Sequence, residues 1–479
     1  MDSRSELVVK ASRIVAGALA LVAWAGPAAA SGLEIPDLGT ESMGQGCSTI
    51  AGPTDFSAIY YNPAGLAQQG GLRIQADSRA TLHKVTFQRL QADGTNPKGF
   101  VSVSNAGGVN VTSLAPMAGF SYRFDKSPVP VTIAAGGWPY SSATGYDYPD
   151  PVELRAAGAN EANIGVATPQ RYSSVLSASK IYTAAAGFGA QVTDWLDVGA
   201  TLQFITADFE TRVAVASGIV SNEDTNFDAV ISISGKQWFK PTGSFGVTAH
   251  LPEGFVVGGA FQLGAAFNAA GNLQADLTPS LTAAGAKLNG NAIDVAVNLP
   301  WTARLGVRMI RTDWEVELSG TLVGWHVLKA ETITPHDITV DVLGTSTPLP
   351  TLQIEKDLKN AGSIRLGGLY RLGALHPSLN MFTARAGGLV ETSAVSKEHQ
   401  SLDLMNWGRG AFSLGLGTSL GALAIEASFM HYIQPDREVR DSQVVQVVAL
   451  PGKQGTVVGN GDYGSTINLL SLSLKYRFD

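Results

Sequence analysis

Leu196-Asp197-Val198-Gly199-Ala200-Thr201-Leu202-Gln203-Phe204 alternates strictly between apolar and small or polar residues. Successive side chains of a β-strand point to opposite faces, so this period of two marks a strand with one apolar and one polar face. The same reading holds for Trp314, Val316, Leu318 and Leu322, set against Glu315, Glu317, Ser319 and Thr321. It holds again for Leu470, Leu472, Leu474, Tyr476 and Phe478, set against Ser471, Ser473, Lys475 and Arg477. A helix would need apolar residues three and four apart, and these segments lack that spacing. The apolar set is expected to face lipid and the polar set a lumen.

From residue 71 onward such segments recur with connections of two kinds. Short ones fall at Asp125 to Pro128, Thr193-Asp194, Pro252 to Gly254, Thr312-Asp313, Gly373 to Ser378, and Gly421. Long polar ones run near 91–114, 139–172, 214–240, 269–293, 329–360, 392–407 and 434–463. Thirteen connections alternating long and short imply fourteen antiparallel strands. Short periplasmic turns with long outer loops are the pattern of an outer-membrane barrel. Tyr122, Phe124, Trp195, Trp314, Tyr476 and Phe478 lie beside the short turns, where an interfacial aromatic girdle belongs. The expected class is therefore all-β, a transmembrane antiparallel barrel spanning residues 71–479.

Composition agrees. Charged residues make up 15% of the 479, well below the roughly 25% of soluble domains. The first 30 residues carry Arg4, Lys10 and Arg13, an apolar run from Ile14 to Trp24, and Ala28-Ala29-Ala30 before Ser31. They read as a cleaved signal peptide. Without them the chain holds 33 − 3 = 30 basic and 40 − 2 = 38 acidic residues, a net of −8. No basic tract favours nucleic acid as a partner. The single cysteine, Cys47, makes no internal disulfide and reads as a small packed residue.

Residues 31–70 break the alternation. They are a loose periplasmic tail or a plug folded into the lumen. Here Gly44-Gln45-Gly46 is followed by Ala58-Ile59-Tyr60-Tyr61-Asn62-Pro63-Ala64-Gly65-Leu66. The segment resembles the N-terminal hatch of the FadL-like outer-membrane transporters of long-chain fatty acids and aromatic hydrocarbons, with Asn62-Pro63-Ala64 as its hatch motif. Asn298-Leu299-Pro300-Trp301 and Phe429-Met430-His431 are similar to further landmarks of that family. Asp479 after Phe478 departs from the usual terminal aromatic, the form read by the barrel assembly machinery.

The resemblance implies a hatch at residues 31–70 plugging a fourteen-strand barrel, and gating through Asn62, Pro63 and Ala64. It also implies a third strand kinked inward beside the hatch. That strand is expected at Val129 to Trp138, with Gly136 and Gly137 as the kink candidates, since paired glycines weaken a strand. The expected location is the outer membrane of a Gram-negative bacterium, among lipid and lipopolysaccharide. The expected activity is passive passage of a hydrophobic small molecule, a fatty acid or hydrocarbon. Capture would begin at Leu273, Leu277, Leu281 and Ile293 in the outer loops, continue in an apolar lumenal pocket, and end in sideways exit.

On the lumen face Arg304, Arg308, Arg365, Arg371 and Lys475 are candidates for holding a carboxylate. The competing role is a lattice of salt bridges lining a wet lumen, with Arg308 opposite Glu317 across the turn. Catalytic signals are poor. Gly417-Thr418-Ser419-Leu420-Gly421 matches G-x-S-x-G but precedes a tight turn rather than a helix. The seven histidines are scattered without metal-ligand spacing, and no nucleotide motif suggests a cofactor. The rival readings are a diffusion porin for small polar solutes, an outer-membrane lipid hydrolase, and a structural or adhesive barrel.

Overall fold

In the computed structural model the alternating segments become strands of a closed antiparallel barrel. The structure describes residues 38–104, 114–140, 146–220, 223–342, 344–405, 407–449 and 454–478. The signal peptide, Ser31 and Asp479 lie outside the described residues.

Fourteen strands form the wall. They are β1 (Leu72–Leu90), β2 (Pro97–Ser104 with Leu114–Phe124), β3 (Val131–Pro139), β4 (Leu176–Thr193), β5 (Leu196–Ala216), β6 (Asp228–His250) and β7 (Phe255–Gln262 with Ala265–Asp276). They continue with β8 (Ala292–Leu299 with Thr302–Ile310), β9 (Trp314–Val323 with Ala330–Pro335), β10 (Ala361–Arg371), β11 (Phe382–Glu391), β12 (Arg409–Leu420), β13 (Leu423–Ile433) and β14 (Gly461–Phe478). Each pairs with its sequence neighbours, and β14 closes onto β1 from Leu72↔Phe478 to Arg89↔Gly461. Closure removes the free edge strands that an open sheet would present to lipid.

The faces sort as the alternation predicts. Leu202, Phe204, Leu414, Leu416, Leu470 and Leu472 are exposed on the outside, while Thr201, Gln203, Ser413 and Ser473 are buried inside. Tyr122, Phe124, Trp195, Tyr476 and Phe478 are exposed around the end that carries the short turns. Leu72 pairs with both Tyr122 and Phe478, which sets these aromatics at one level.

Two expectations change. Several stretches read as loops are strand: Pro97–Ser104 pairs with β1, β5 and β6 stay paired up to Ala216↔Asp228, and β7 runs to Asp276. These lengths rise past the lipid, where water wets both faces and the lipid-facing alternation has no reason to persist. The loop residues proposed for capture are also mostly unavailable. Leu273, Leu281 and Ile293 are buried, and Leu273 and Ile293 pack with Ile233, Ile333 and Ile338. They hold the outer sheet extension together.

Candidate functional site

The segment ahead of β1 folds as short pieces: α1 (Thr40–Gly44), α2 (Ala58–Tyr61) and a 3-10 turn (Pro63–Gln68). None is long enough to be stable alone, so the wall must hold them. Nearly every residue from 38 to 67 is buried, and the segment's partners lie on strands around the barrel. It therefore occupies the lumen, which a porin would need open.

Asn62 joins this hatch to itself and to the wall. Its backbone is extended between α2 and the 3-10 turn, and its Oδ1 accepts from Ala64 N at 3.1 Å, capping the turn. Pro63 occupies the first turn position, where a missing N–H costs nothing. The Asn62 amide donates to Ile50 O at 2.9 Å, Thr248 Oγ1 at 3.0 Å and Val247 O at 3.2 Å. Asn62 is wholly buried, so losing this side chain would leave several polar groups unpaired.

The wall receives the hatch through glycines. A Cβ at Gly246 would overlap Asn62 Oδ1, one at Gly199 would overlap Pro63, and ones at Gly367 and Gly387 would overlap the Gln45 backbone. Gly199 pairs with Gly246, and Gly367 with Gly387. Hatch backbone thus lies directly on wall backbone. Hydrogen bonds fix the register, among them Gly46 N to Ser413 Oγ at 2.8 Å, Ser48 Oγ to Glu317 O at 2.9 Å, and Thr40 N to Asp77 Oδ2 at 2.9 Å.

The five candidate cations separate into two kinds. Arg308 sits opposite Glu317 as expected, 3.7 Å from its carboxylate, and also contacts Glu315. Arg365 pairs with Glu391 at 3.0 Å. Arg371 pairs with Glu315 at the periplasmic end and is half exposed. Lys475 is held by the hatch, 3.0 Å from Asp55 and in contact with Glu41. Arg304 differs. Its guanidinium stands 4.6 Å over the Tyr60 ring, the residue is 8% exposed, and Nη1 is buried without a hydrogen-bond partner. No ion pair is found for it among the described residues. It lines a cavity of about 40 Å³ with Cys47, Tyr60, Tyr61, Trp325 and the Arg365–Glu391 ion pair. Trp138 meets Tyr60 edge to face, ring centroids 6.2 Å apart.

Gly136 and Gly137 lie near the end of β3, at its parting from β2. β3 pairs with β2 only from Phe124↔Val131 to Ala118↔Gly137, yet follows β4 up to Pro139↔Tyr182. A Cβ at Gly136 or at Gly119 would overlap the Phe56 ring. Gly137 instead faces Thr183 O, 3.0 Å from its Cβ position. Phe56 of the hatch therefore sits, from inside, on a paired rung just before the parting. It also lines a polar cavity of about 420 Å³ below the hatch, with Glu41, Asp55, Arg73 and Lys475. The sequence motif pointed to Asn62 to Ala64 but not to Phe56 or Tyr60.

Ser419 stands at the end of β12 entering a turn at Gly421, not before a helix. Among the described residues, no group of three or more His, Cys, Asp or Glu is arranged to hold a metal.

A family model described as outer membrane protein transport protein (OMPP1/FadL/TodX) matches residues 169–478, more than half of the chain. A solved FadL homologue of Pseudomonas aeruginosa is 15% identical, covering 94% of this chain and 100% of its own, with a TM-score of 0.72. The Pseudomonas putida toluene transporter TodX is 12% identical over 94% and 100%, TM-score 0.62. The Ralstonia pickettii toluene transporter TbuX is 12% identical over 93% and 99%, TM-score 0.60. These likenesses show the fold. A comparison with curated protein sequences gives no match. A closed fourteen-strand barrel with a hatch locked in its lumen, matched by this family model, places the chain in the FadL/TodX family of outer-membrane transporters of hydrophobic compounds.

Proposed function

We propose that the cargo is a long-chain fatty acid or a similar acid, held with its carboxylate on Arg304 and its chain against the lumenal aromatics. The observation that carries this reading is the buried guanidinium without an anionic partner. Burying a charge is costly unless it is paired, and stacking on Tyr60 offsets only part of that cost. A ligand carboxylate would complete the site with charge-assisted hydrogen bonds. The present cavity holds only about three waters, so binding must widen it. Tyr60 and Cys47 belong to the hatch, and widening there moves the segment that carries Asn62, Pro63 and Ala64. Apolar burial is worth about 0.8 kcal/mol per methylene, on the order of 10 kcal/mol for a sixteen-carbon chain. Release then needs the hatch to shift, with exit beside Gly136 where β3 leaves β2. Neither step uses a cofactor.

The test compares oleate with toluene on protein purified in mild detergent. Arg304→Leu should weaken oleate binding by roughly ten- to a hundredfold, the 1.5–3 kcal/mol of a charged hydrogen bond. Toluene binding should stay within about twofold, and Arg304→Lys should restore part of the loss. Equal effects on both ligands, or none, would sink the carboxylate role. Tight toluene binding with no oleate binding in the parent protein would make the cargo an uncharged aromatic.

A further inference from the structure

The wall has a second discontinuity, away from the hatch. The ladder between β6 and β7 stops at Ser244↔Gln262 and resumes at Lys236↔Ala270. Residues 237–243 and 263–269 between these points have no ladder pairing with each other. Both paired ends keep one register, so the strands part and rejoin with seven residues on each side. The parting is an eyelet, not an inserted loop. Both strands stay joined to their outer neighbours. β6 pairs with β5 at Phe204↔Pro241 and Ile205↔Lys240, and β7 with β8 from Ala265↔Leu299. The ends are pinned by Leu263 N to Gly243 O at 2.9 Å and by Asn268 N to Gln237 Oε1 at 3.2 Å.

The sequence keeps this stretch from zipping. Pro241 has no N–H to donate. Phe239 adopts a φ of 50°, costly for an aromatic residue and kept only where surroundings demand it. Irregular backbone at membrane depth is tolerated where it lines a cavity or is covered by protein. Phe204, opposite Pro241, is eight residues along β5 from Leu196, about 20 Å up the barrel for tilted strands of 3.4 Å per residue. That is the upper edge of an apolar band about 25 Å tall. The level is also above the hatch, whose Pro63 lies against Gly199.

Apolar side chains stand at both mouths of the eyelet, beside the polar Gln237, Lys240, Thr242 and Asn268, with Thr242 Oγ1 donating across it to Leu263 O at 2.9 Å. Outside, Trp238 is 64% exposed, Phe239 68% and Leu263 49%. Inside, Ala265, Phe267, Leu299 and Ile205 form a buried cluster against Tyr140 and Ile181. Tyr140 stands two residues beyond Trp138, which meets Tyr60. An apolar track therefore leads from the eyelet to the aromatic that carries Arg304.

We propose that the β6–β7 eyelet is a side port through which lipophilic molecules dissolved in the outer leaflet enter the lumen above the hatch. The port rests on the transport reading, but it assigns the membrane, rather than the outer loops, as the source of cargo. The test uses Ala266→Cys, purified, labelled or not with a bulky maleimide that the wholly buried Cys47 does not meet, and reconstituted in phospholipid vesicles. A diazirine-bearing palmitate supplied in the vesicle membrane reports loading by photo-cross-linking. Ala386→Cys, on the lipid face of β11, is the labelled control, and Asn268→Cys is a second port position if Ala266→Cys fails to assemble. The label at position 266 should slow loading about tenfold while the label at 386 leaves it unchanged. Equal loading with and without the label at 266 would overturn the port and leave the transport reading standing. No loading by unlabelled protein would overturn both.

Discussion

Two of the places where the wall loses its pairing lie between β2 and β3 and between β6 and β7, and what stands behind each differs. The first lies at hatch level, and Phe56 of the hatch is seated beside it on Gly119 and Gly136. The second lies above the hatch and is backed by Phe267, Leu299 and Ile205, which belong to the wall itself. One parting is flanked by the hatch, the segment that the proposed function sets in motion. The other is closed only by a thin apolar lining. In this reading the upper parting admits cargo at any time, and the lower one releases it only when the hatch shifts. Directionality then comes from the hatch, without an energy source.

The largest change should follow from dislodging the hatch. In Gly246→Val the branched side chain would occupy the place of Asn62 Oδ1, and the barrel backbone cannot yield as readily as the hatch. The barrel should still assemble, because β5 to β7 keep their pairing there. Protease should then cut within residues 38–70, and planar-bilayer conductance should rise to a steady current absent from the parent. Unchanged conductance and an uncut hatch would mean the hatch is not what blocks the lumen.

A smaller effect is expected from Phe56→Ala, which empties only the seat beside the lower parting. Phe-to-Ala truncation in a packed site costs about 3 kcal/mol or more. Asn62 and its partners on β6 remain, so the hatch should stay in place. Release of bound oleate beside Gly136 should quicken severalfold while bilayer conductance stays low. A slower release would assign Phe56 to binding and not to closure. Gly119→Ala tests the same point from the wall side: its methyl group would meet the Phe56 ring and push it out of its seat.

Much of this was legible before any coordinates, and the reasons are local. A period of two fixes which face each residue takes, so Leu202 outside and Gln203 inside follow from spacing alone. A two-residue turn fixes register, and it put Arg308 opposite Glu317. The same arithmetic puts Thr321 opposite Arg304, a neutral partner that could have separated the two arginines. Other features were hidden because they depend on chain segments far apart. That Gly199 and Gly246 face inward is readable, but that Pro63 and Asn62 rest on them is not. Leu273 and Ile293 were read as exposed loop residues because paired strands above the lipid no longer alternate. Trp238 and Phe239 fell inside a stretch read as loop for the same reason, so Pro241 was the one local sign of the β6–β7 parting and it went unread.

The next effect is a closing one. Pro241→Thr returns a backbone donor to the eyelet and fits a residue that strands favour. If the parting rests on the missing N–H, one or two ladder bonds should form, each worth about 1 kcal/mol. Loading from the membrane should slow by about fivefold, and amide exchange at Ala265 to Phe267 should slow with it. Faster loading would show that Pro241 instead narrows the opening.

The smallest effect should come from the charges beside the upper end of the eyelet. Lys236 lies 3.1 Å from Asp208, with both side chains more than half exposed. An exposed pair of this kind contributes about 1 kcal/mol at most and weakens with salt. Lys236 is also where the β6–β7 ladder resumes, so its backbone holds the strands together whatever its side chain does. Lys236→Ala should therefore leave membrane loading within about twofold at low and high salt alike. A large, salt-sensitive gain in loading would mean that the ion pair, not the ladder, sets how far the parting runs, and the contrast between a wall-backed and a hatch-backed opening would have to be redrawn around charge.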